Sequence, residues 1–317
     1  MRGYLGVDVG SVSTKLVVID DQFNILADLY TGTAGRPIKT VQQCLKTISS
    51  DLGDSVDICG VGVTGSGREV ASVVVGADIV KNEVTTHAIA ASHMIPDVNT
   101  IIEIGGQDSK IIILRDGIVV DFAMNTVCAA GTGSFLDHQA ERLGIPIEDF
   151  GALALRGQNP VRIAGRCSVF AESDMIHKQQ LGYSTENIIA GLCEALVRNY
   201  LNNVGKGKEI NPVIVFQGGV AANTGIKTAF EKALGYDIVV PKHFRIMGAI
   251  GVAILARHST LKLGKTRFKG FDASDFEYQA RSFVCRGCSN LCEIIQIYQD
   301  GTLVARWGGR CGKWDTI

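Results

Sequence analysis

The sequence lacks a long apolar run, a strong net charge and a Walker A phosphate-binding motif. Its 317 residues carry a net charge of −1, so no strong field favours nucleic acid or an acidic membrane surface. No apolar segment approaches the roughly 20 residues that span a bilayer, and the N-terminal residues form a strand-like segment rather than a signal peptide. We therefore expect a cytoplasmic protein that binds neither membranes nor nucleic acid. The absence of G-x-x-x-x-G-K-[ST] disfavours a P-loop ATPase.

Cysteine and glycine are well represented, with nine cysteines and 37 glycines in a chain that is 46% hydrophobic and 20% charged. These bulk fractions are typical of a globular protein, and the length allows two medium lobes with a small appendage. In a reducing compartment, nine cysteines indicate metal binding, catalysis or plain burial rather than structural disulfides. Cys44, Cys59 and Cys193 lie in ordinary apolar or mixed surroundings. The other six lie beside glycine-rich turns or cluster near the C-terminus.

A strand–turn–strand pattern occurs twice. Residues 5–31 and 101–126 each begin with an apolar strand and a Gly-rich polar turn that ends in lysine, Lys15 or Lys110. Each then continues through a second strand, an acidic turn and a third strand, and Asp116-Gly117 in the second copy is a favoured hairpin turn. The duplication predicts two related lobes.

Helical patterns follow each predicted sheet. Apolar spacing predicts helices over 134–143 and 185–204, the latter with Thr185 as N-cap. Strands over 212–216 and 237–240 and a helix over 245–257 are expected to complete the second lobe. This alternation predicts a two-lobed α/β protein with a cleft between the lobes. The expected divisions are an N-terminal lobe (1–98), a C-terminal lobe with Cys128 and Cys167 (99–258) and a Cys-rich extension (259–317).

Three turns have a composition that suits nucleotide binding. Small residues let backbone N–H groups approach phosphate oxygens, and Ser and Thr hydroxyls add donors. The expected contacts are Gly10, Ser11, Val12, Ser13, Thr14 and Lys15 in the first turn, Gly105, Gly106 and Gln107 in the second, and Gly218, Gly219, Val220 and Asn223 in the third. Each turn alone is commonly just a hairpin or a strand-to-helix connection. Together they indicate a site for ATP or ADP, with the first two turns opposed around one triphosphate.

Three side chains near these turns are candidates for phosphoryl-transfer chemistry. We expect Asp8 and Asp108 to hold Mg²⁺, through waters in the case of Asp8, and to position the attacking water. Gln107 is expected to orient that water, because phosphoryl transfer depends mainly on positioning and electrostatics.

The motifs G-V-D-V-G-S-x-S-T-K, E-I-G-G-Q-D-S-K and Q-G-G-V-A-A-N together resemble the acetate kinase/sugar kinase/heat-shock-70/actin superfamily. Within it, N-T-V-C-A-A-G-T-G-S-F-L (125–136) and A-G-R-C-S-V-F-A-E-S-D (164–174) resemble BadF/BadG/BcrA/BcrD-type ATPases. These are activators of 2-hydroxyacyl-CoA dehydratases, ATPase subunits of benzoyl-CoA reductase and double-cubane-cluster protein reductases. The resemblance covers residues 3–257 and implies an actin/hexokinase/heat-shock-70-like fold, a duplicated ribonuclease H-like unit. Residues 64–68 resemble a family loop near the cleft, and a plain surface turn is the alternative.

Cys128 and Cys167 each come shortly before a predicted helix. The helix dipole and unpaired N–H groups at such a position stabilise a thiolate, and N–H groups also hydrogen-bond to cluster sulfides. Burial as a small apolar side chain is the alternative. The resemblance implies a homodimer in which Cys128 and Cys167 of both subunits hold one [4Fe–4S] cluster. It further implies that ATP hydrolysis drives electrons from ferredoxin or flavodoxin into an iron–sulfur acceptor enzyme.

The C-terminal extension carries four cysteines, Cys285, Cys288, Cys292 and Cys311. A C-x₂-C pair with more distant partners is usual for structural zinc, and three cysteines in eight residues also suit a second iron–sulfur cluster. The sequence predicts metal binding there and leaves the metal open.

Two other functions compete with the reductase hypothesis. One is a small-molecule kinase of the same fold, acting for instance on a sugar or amino sugar, which would leave Cys128 and Cys167 without a role. The other is a regulatory ATPase with structural zinc. Iron content separates the reductase from both.

Overall fold

A computed structural model describes residues 1–125 and 127–316, apart from the side chains of Asp54, Lys262 and Leu263. Thr126, in the motif of residues 125–136, therefore lies outside the described residues. The chain divides into two compact units, Met1–Thr86 with Gly248–Ile317 as the first and His87–Met247 as the second. Within the described residues, no helix is both long and apolar enough to cross a membrane.

The first unit contains a five-stranded sheet in the order β3-β2-β1-β4-β5. Its elements are β1 (Arg2–Val9), β2 (Ser13–Ile19), β3 (Ile25–Gly32), α1 (Pro37–Leu52), β4 (Asp57–Thr64), α2 (Arg68–Val75) and β5 (Ile79–Val80). The first three strands are antiparallel neighbours, while β4 and β5 run parallel to β1. The strands β1, β2 and β4 are almost wholly buried, which explains their continuous apolar runs. Helix α3 (Glu83–Met94) then leads into the second unit.

The second unit contains a sheet in the order β10-β9-β6-β7-β8. Its elements are β6 (Thr100–Ile104), β7 (Ser109–Arg115), β8 (Ile118–Asn125), α4 (Gly133–Leu143), α5 (Ile147–Arg156), α6 (Ser168–Gln180), α7 (Thr185–Asn203), β9 (Ile214–Gln217), α8 (Thr224–Leu234) and β10 (Ile238–Val239). Three antiparallel strands are again followed by two strands parallel to the first. The predicted duplication is confirmed.

Local turn and cap chemistry accounts for two element boundaries. Asp116 and Gly117 both have positive φ, 53° and 73°, as a type I′ hairpin turn requires. The N-cap of α7 is Ser184 rather than the expected Thr185. Ser184 has extended backbone geometry and its hydroxyl accepts a hydrogen bond from Asn187 N, whereas Thr185 is already the first helical residue.

Helix α9 (Met247–Leu263) lies on the sheet of the first unit, whereas the sequence placed it with the second lobe. Glycines in the strands allow this close approach. A Cβ at Gly6 would lie 2.0 Å from the Ala249 carbonyl oxygen, and one at Gly62 would lie 2.4 Å from the Val252 carbonyl oxygen. Since no side chain fits in either gap, the helix backbone contacts the strands directly.

The C-terminal extension forms a three-stranded antiparallel sheet of β11 (Tyr278–Val284), β12 (Glu293–Gln299) and β13 (Thr302–Trp307). Its buried side chains are few. Ile297 and Ala305 pack with Val73 of α2, and partly buried Tyr278, Ile295 and Trp307 surround them. The sheet is therefore attached to α2 through a small apolar cluster, while Phe268, Phe271 and Phe276, which precede it, pack against the main core of the first unit.

Candidate functional site

The first predicted turn connects β1 and β2 in the first unit. Gly10 N donates to Ser13 O at 2.9 Å, which closes the turn. The Thr33 hydroxyl donates to Gly10 O at 2.8 Å and lies 2.9 Å from the Thr14 hydroxyl. Ser11 is exposed, whereas Thr14 is fully buried. Thr14 therefore braces the turn from inside, and Ser11 offers its hydroxyl to solvent.

The segment Thr64–Arg68, between β4 and α2, contacts this first turn. Gly67 N donates to Val9 O at 2.8 Å, and the hydroxyls of Ser11 and Ser66 are 3.2 Å apart. Gly65 has φ +97°, and a Cβ there would lie 2.3 Å from Val9 O. Glycine is therefore required at Gly65, and Ser66 joins Ser11 at the surface of the turn.

The second predicted turn connects β6 and β7 in the second unit and is held by a buried lysine. Lys110 Nζ lies 3.0 Å from Glu103 Oε2 and 2.9 Å from Asp108 Oδ2, and its side chain is 2% exposed. Gly105 N donates to Asp108 O at 3.0 Å across the turn. Gln107, at the tip, is exposed. The turn thus presents Gln107 to solvent, while Asp108 is partly engaged by Lys110.

Glu103 occupies the position in the second unit that Asp8 occupies in the first. Asp8 pairs in register with Lys15, and Glu103 pairs in register with Lys110. Both pairs form ion pairs, since Lys15 Nζ lies 3.3 Å from Asp8 Oδ2. Our sequence reasoning did not select Glu103. The signal was available, because acid and lysine are seven positions apart in both copies of the repeat.

The third predicted segment, residues 218–223, follows β9. It lies close to Glu103 and Ile104, the last residues of β6 before the second turn. Gly218 has φ +89°, and a Cβ there would lie 2.4 Å from Ile104 O and 2.7 Å from Glu103 Oε1. Asn223 is the N-cap of α8, where its Oδ1 accepts from Ile226 N at 3.1 Å. The second and third segments therefore lie in close contact within the second unit. Asn223 has a capping role there that the sequence reasoning did not assign.

Cys128 begins a single 3₁₀ turn, Ala129–Gly131, directly before α4. The side chain of Asn125 forms hydrogen bonds with the backbone of Cys128 on both sides of its Cα atom. Its Oδ1 accepts from Cys128 N at 3.0 Å and its Nδ2 donates to Cys128 O at 2.8 Å. The predicted position of Cys128 before a helix is confirmed.

Cys167 is the N-cap of α6, and its segment converges with that of Cys128. Cys128 Sγ lies 3.7 Å from Arg166 O. Asn199 of α7 is 2% exposed, and its amide contacts both segments. Asn199 Nδ2 lies 3.8 Å from Cys128 Sγ and 2.5 Å from Gly165 O. Both thiols are half-buried and free.

Hydrogen bonds connect the Cys128 segment to the second turn. Gly133 N donates to Gly105 O and Ser134 N donates to Gly106 O, each at 2.8 Å. The Ser134 hydroxyl also contacts Gly106 O, at 2.5 Å. The first residues of α4 therefore hold the two carbonyls of the turn, immediately after the stretch that carries Cys128.

Helices α4 and α6 are also linked to each other. Glu172 of α6 forms an ion pair with Arg142 of α4, and its carboxylate lies 3.5 Å from His138 Nδ1 of the same helix. In addition, Asp174 Oδ2 accepts from Ala164 N at 2.8 Å, which ties the loop before Cys167 to its own helix. The two cysteine-bearing segments therefore form one braced assembly.

Apolar side chains surround these two cysteines on the surface. Val127 is 95% exposed, and Val169 and Phe170 are 66% and 67% exposed. They flank Cys128 and Cys167 in the sequence and lie in solvent in the single chain.

The four C-terminal cysteines lie in the two loops at one end of the extension sheet. Cys285 N donates to Cys292 O at 2.8 Å, and the Trp314 indole N–H donates to Cys285 Sγ at 3.3 Å. The indole bond, with a second N–H from Gly287, lowers the pKa of the Cys285 thiol below its ordinary value. In contrast, burial raises the pKa of Cys44 to about 11 and that of Cys193 to about 12. No group of three or more metal-ligating side chains occurs among the described residues.

Two sheets of the same strand order, each with a polar turn after its first strand, define an actin/hexokinase-type ATPase fold. Known structures agree. The activator of 2-hydroxyisocaproyl-CoA dehydratase from Clostridium difficile with bound ADPNP matches with a TM-score of 0.75 at 33% identity, over 83% of this chain and 97% of that one. A glucokinase from Streptomyces griseus matches with a TM-score of 0.50 at 13% identity, over 81% of this chain and 99% of that one, which supports the fold alone.

The chain belongs to the BadF/BadG/BcrA/BcrD ATPase family, whose model matches residues 5–256. The (R)-2-hydroxyglutaryl-CoA dehydratase activating ATPase of Acidaminococcus fermentans is 35% identical over 265 residues. That alignment covers 81% of this chain and 98% of the relative. The C-terminal extension lies beyond the family match.

Proposed function

We propose that this chain is an ATP-dependent reductase component, which couples ATP hydrolysis to single-electron transfer into an iron–sulfur partner enzyme. The observation that carries the proposal is the hydrogen-bonded connection between the second turn and the Cys128 segment, through Gly133 and Ser134. It joins a candidate phosphate-binding turn to a candidate cluster ligand within one unit.

In this proposal each unit supplies one phosphate-binding turn for ATP and Mg²⁺. Asp8 and Asp108 are the proposed Mg²⁺ carboxylates, and Gln107 is proposed to orient the attacking water. The exposure of Gln107 at the tip of its turn supports that role, since a positioning side chain must reach the terminal phosphate. The lysine partners of the two carboxylates offset part of their charge and hold their orientation.

Cys128 and Cys167 would hold a [4Fe–4S] cluster, which supplies one-electron transfer at low potential when bound. The residues fit such a group, because both thiols begin helical segments and an amide N–H of Asn199 is directed at Cys128 Sγ. The cluster takes four thiolates, and this site offers two per chain. An isologous homodimer presents the same patch twice and completes the set. Exposed Val127, Val169 and Phe170 support a covered surface there, since apolar patches of this kind mark interfaces.

The proposed coupling runs through the chain's own hydrogen bonds. Hydrolysis changes the contacts that the second turn makes with phosphate. Because Gly105 and Gly106 carbonyls are bound by the first residues of α4, a shift of the turn acts on the Cys128 segment. The contacts of Glu172 with Arg142 and His138 then transmit the shift from α4 to α6, whose N-cap is Cys167.

The proposed acceptor is an iron–sulfur enzyme of the dehydratase, benzoyl-CoA reductase or double-cubane type, and the proposed donor is ferredoxin or flavodoxin. One relative is named as a dehydratase activating ATPase and another as part of a benzoyl-CoA reductase, and both names support an acceptor enzyme of this class.

Anaerobic purification with iron and sulfide analysis tests the proposal. We expect about two irons and two sulfides per chain, which corresponds to one four-iron cluster per dimer, and their loss in a Cys128→Ser/Cys167→Ser variant. Cys59→Ser is the matched control, because that half-buried thiol belongs to the first unit, whereas Cys128 and Cys167 belong to the second. A colourless wild type after reconstitution with iron and sulfide would leave a kinase or a regulatory ATPase.

A further inference from the structure

The C-terminal extension has too little apolar core to hold its cysteine-bearing end. The buried hydrophobic residues of its sheet, Ile294, Ile297 and Ala305, lie within the strands, and the cluster with Val73 attaches the sheet to α2. Small domains with so little core usually need a disulfide or a metal as a cross-link. All nine cysteines are free thiols, so no disulfide cross-links the extension and a metal ion is the remaining kind of cross-link.

The topology brings all four C-terminal cysteines to one end of this sheet. Cys285, Cys288 and Cys292 lie in the loop from β11 to β12, and Cys311 lies in the segment after β13. Because β12 is antiparallel to both neighbours, the last residues of β11, the first of β12 and the last of β13 lie at the same end of the sheet. A Cβ at Gly308 would lie 2.4 Å from Glu293 O, which shows how closely the last segment passes the start of β12.

Cys285 and Cys292 are suitably placed to bind one ion together. Val284 and Glu293 form the last register pair of β11 and β12, and the next pair outward is Cys285 with Cys292, joined by the 2.8 Å backbone hydrogen bond. Directly opposite residues have Cβ atoms about 4.5–5.5 Å apart. Two thiolates on a tetrahedral zinc ion, with Zn–S of about 2.3 Å, are about 3.8 Å apart. The register therefore allows a shared ion without a change in the sheet.

The segment with Cys311 folds back onto the same site. Arg306 and Thr316 exchange two backbone hydrogen bonds of 2.9 Å, so residues 307–315 form a closed loop. Within that loop the Trp314 indole donates to Cys285 Sγ at 3.3 Å and stacks edge-on against Phe283 with ring centroids 5.2 Å apart. Cys311 is therefore only three residues from a side chain that contacts Cys285.

We propose that Cys285, Cys288, Cys292 and Cys311 form a closed four-thiolate zinc site that fixes the open end of the extension sheet. Among the described residues the four thiols are not yet gathered at ligand spacing. Cys288 and Cys311 are exposed in loops that contain Gly287, Gly309 and Gly312. Zinc draws these two loops together, while the register pair and Trp314 provide the preformed half of the site. Four thiolates leave no open position for substrate, so the role is structural.

Metal analysis of the full chain in a Cys128→Ser/Cys167→Ser background tests this site independently of the proposed electron-transfer function. Iron found in that background cannot come from the proposed dimer cluster. We expect about one zinc per chain after purification with reductant and zinc, and its loss on adding Cys285→Ser or Cys292→Ser. Adding Cys59→Ser instead is the control that keeps the zinc.

Cobalt replacement and proteolysis complete the test and do not depend on a folded cysteine variant. Cobalt bound to the zinc-free chain should give the intense thiolate-to-cobalt absorption of a tetrahedral sulfur site. A chelator should expose residues 285–316 to protease while residues 5–256 stay intact. Less than about 0.2 zinc per chain, zinc retained in the Cys285→Ser and Cys292→Ser variants, or iron bound at these cysteines instead of zinc would each overturn the assignment.

Discussion

The buried ion pair between Lys110 and Glu103 gives the sharpest test of how the second turn is held. In Lys110→Met the Glu103 carboxylate, 4% exposed, loses its lysine partner. Removing one member of a buried pair typically costs about 3–5 kcal/mol, because the other charge stays buried. For a unit of this size, about 2–4 °C is lost per kcal/mol, so the expected fall in Tm is roughly 6–20 °C.

Matched variants separate the buried pair from a general loss of charge. Lys208→Met removes the half-buried lysine partner of the exposed Asp121, 2.7 Å away, and should cost less than about 1 kcal/mol because the remaining carboxylate is solvated. The double variant Glu103→Gln/Lys110→Met should recover part of the lost stability, because it removes both buried charges.

The assay is thermal unfolding together with hydrogen exchange of peptides from β6 and β7, followed by mass spectrometry. Faster exchange in Lys110→Met should appear in these strands, and ATP hydrolysis should fall with it. A Tm for Lys110→Met equal to that for Lys208→Met would refute the reasoning. So would a double variant that is less stable than Lys110→Met.

Three further outcomes are expected. If the proposed cluster is present, Asn199→Ala should reduce the iron content and shift the reduction potential to a more negative value, because an N–H donor to Cys128 Sγ is lost. Asn203→Ala, one helical turn away and bonded only to Asn199 among the contacts described, should leave both quantities unchanged in iron analysis and redox titration. Gly6→Ala should cost about 1–3 kcal/mol or more in urea unfolding, since its Cβ would meet the Ala249 carbonyl, whereas Gly32→Ala, with no atom closer than 4.0 Å, should be nearly neutral. Burial raises the pKa of Cys193 to about 12, so iodoacetamide at about pH 8 should modify the exposed thiols and leave Cys193 unmodified in mass spectra until the chain unfolds; modification of Cys193 in the native chain would contradict its burial.

Most of the fold could be predicted from hydrophobic periodicity and turn composition. The repeat of apolar strand, Gly-rich turn and lysine predicted two sheets of one design, and Asp116-Gly117 adopts the predicted hairpin geometry. The order of elements along the chain was a poorer guide to where α9 packs than the glycines that allow a helix to approach a strand closely. Helix α9 follows β10 in sequence and was grouped with it, yet the strand glycines Gly6 and Gly62 receive it on the first sheet. The available signal was the pair Gly60 and Gly62 on alternate residues of β4, both of which face α9.

The site was predictable where a turn has its own composition and unpredictable where a distant side chain completes it. Cys128 and Cys167 were predicted as ligands from their positions before helices, and the structure brings their segments together. Asn199 comes to Cys128 from α7, 71 positions along the chain, and nothing in its own surroundings marks it. Glu103 was not predicted because it lies in β6, just before the small residues of the turn on which the prediction was based.

The insertion of the second unit into the first has a consequence for synthesis on the ribosome. The first sheet is complete in sequence at Val80, but α9, which covers one of its faces, begins at Met247. At about 5–20 residues per second, the intervening stretch takes roughly 8–33 s to be synthesised. The second unit is continuous in sequence from His87 to Met247. In the first unit, by contrast, the strand glycines stay exposed to water until α9 has been synthesised. A nascent chain stalled before α9 should therefore expose the uncovered face of the first sheet to chaperones.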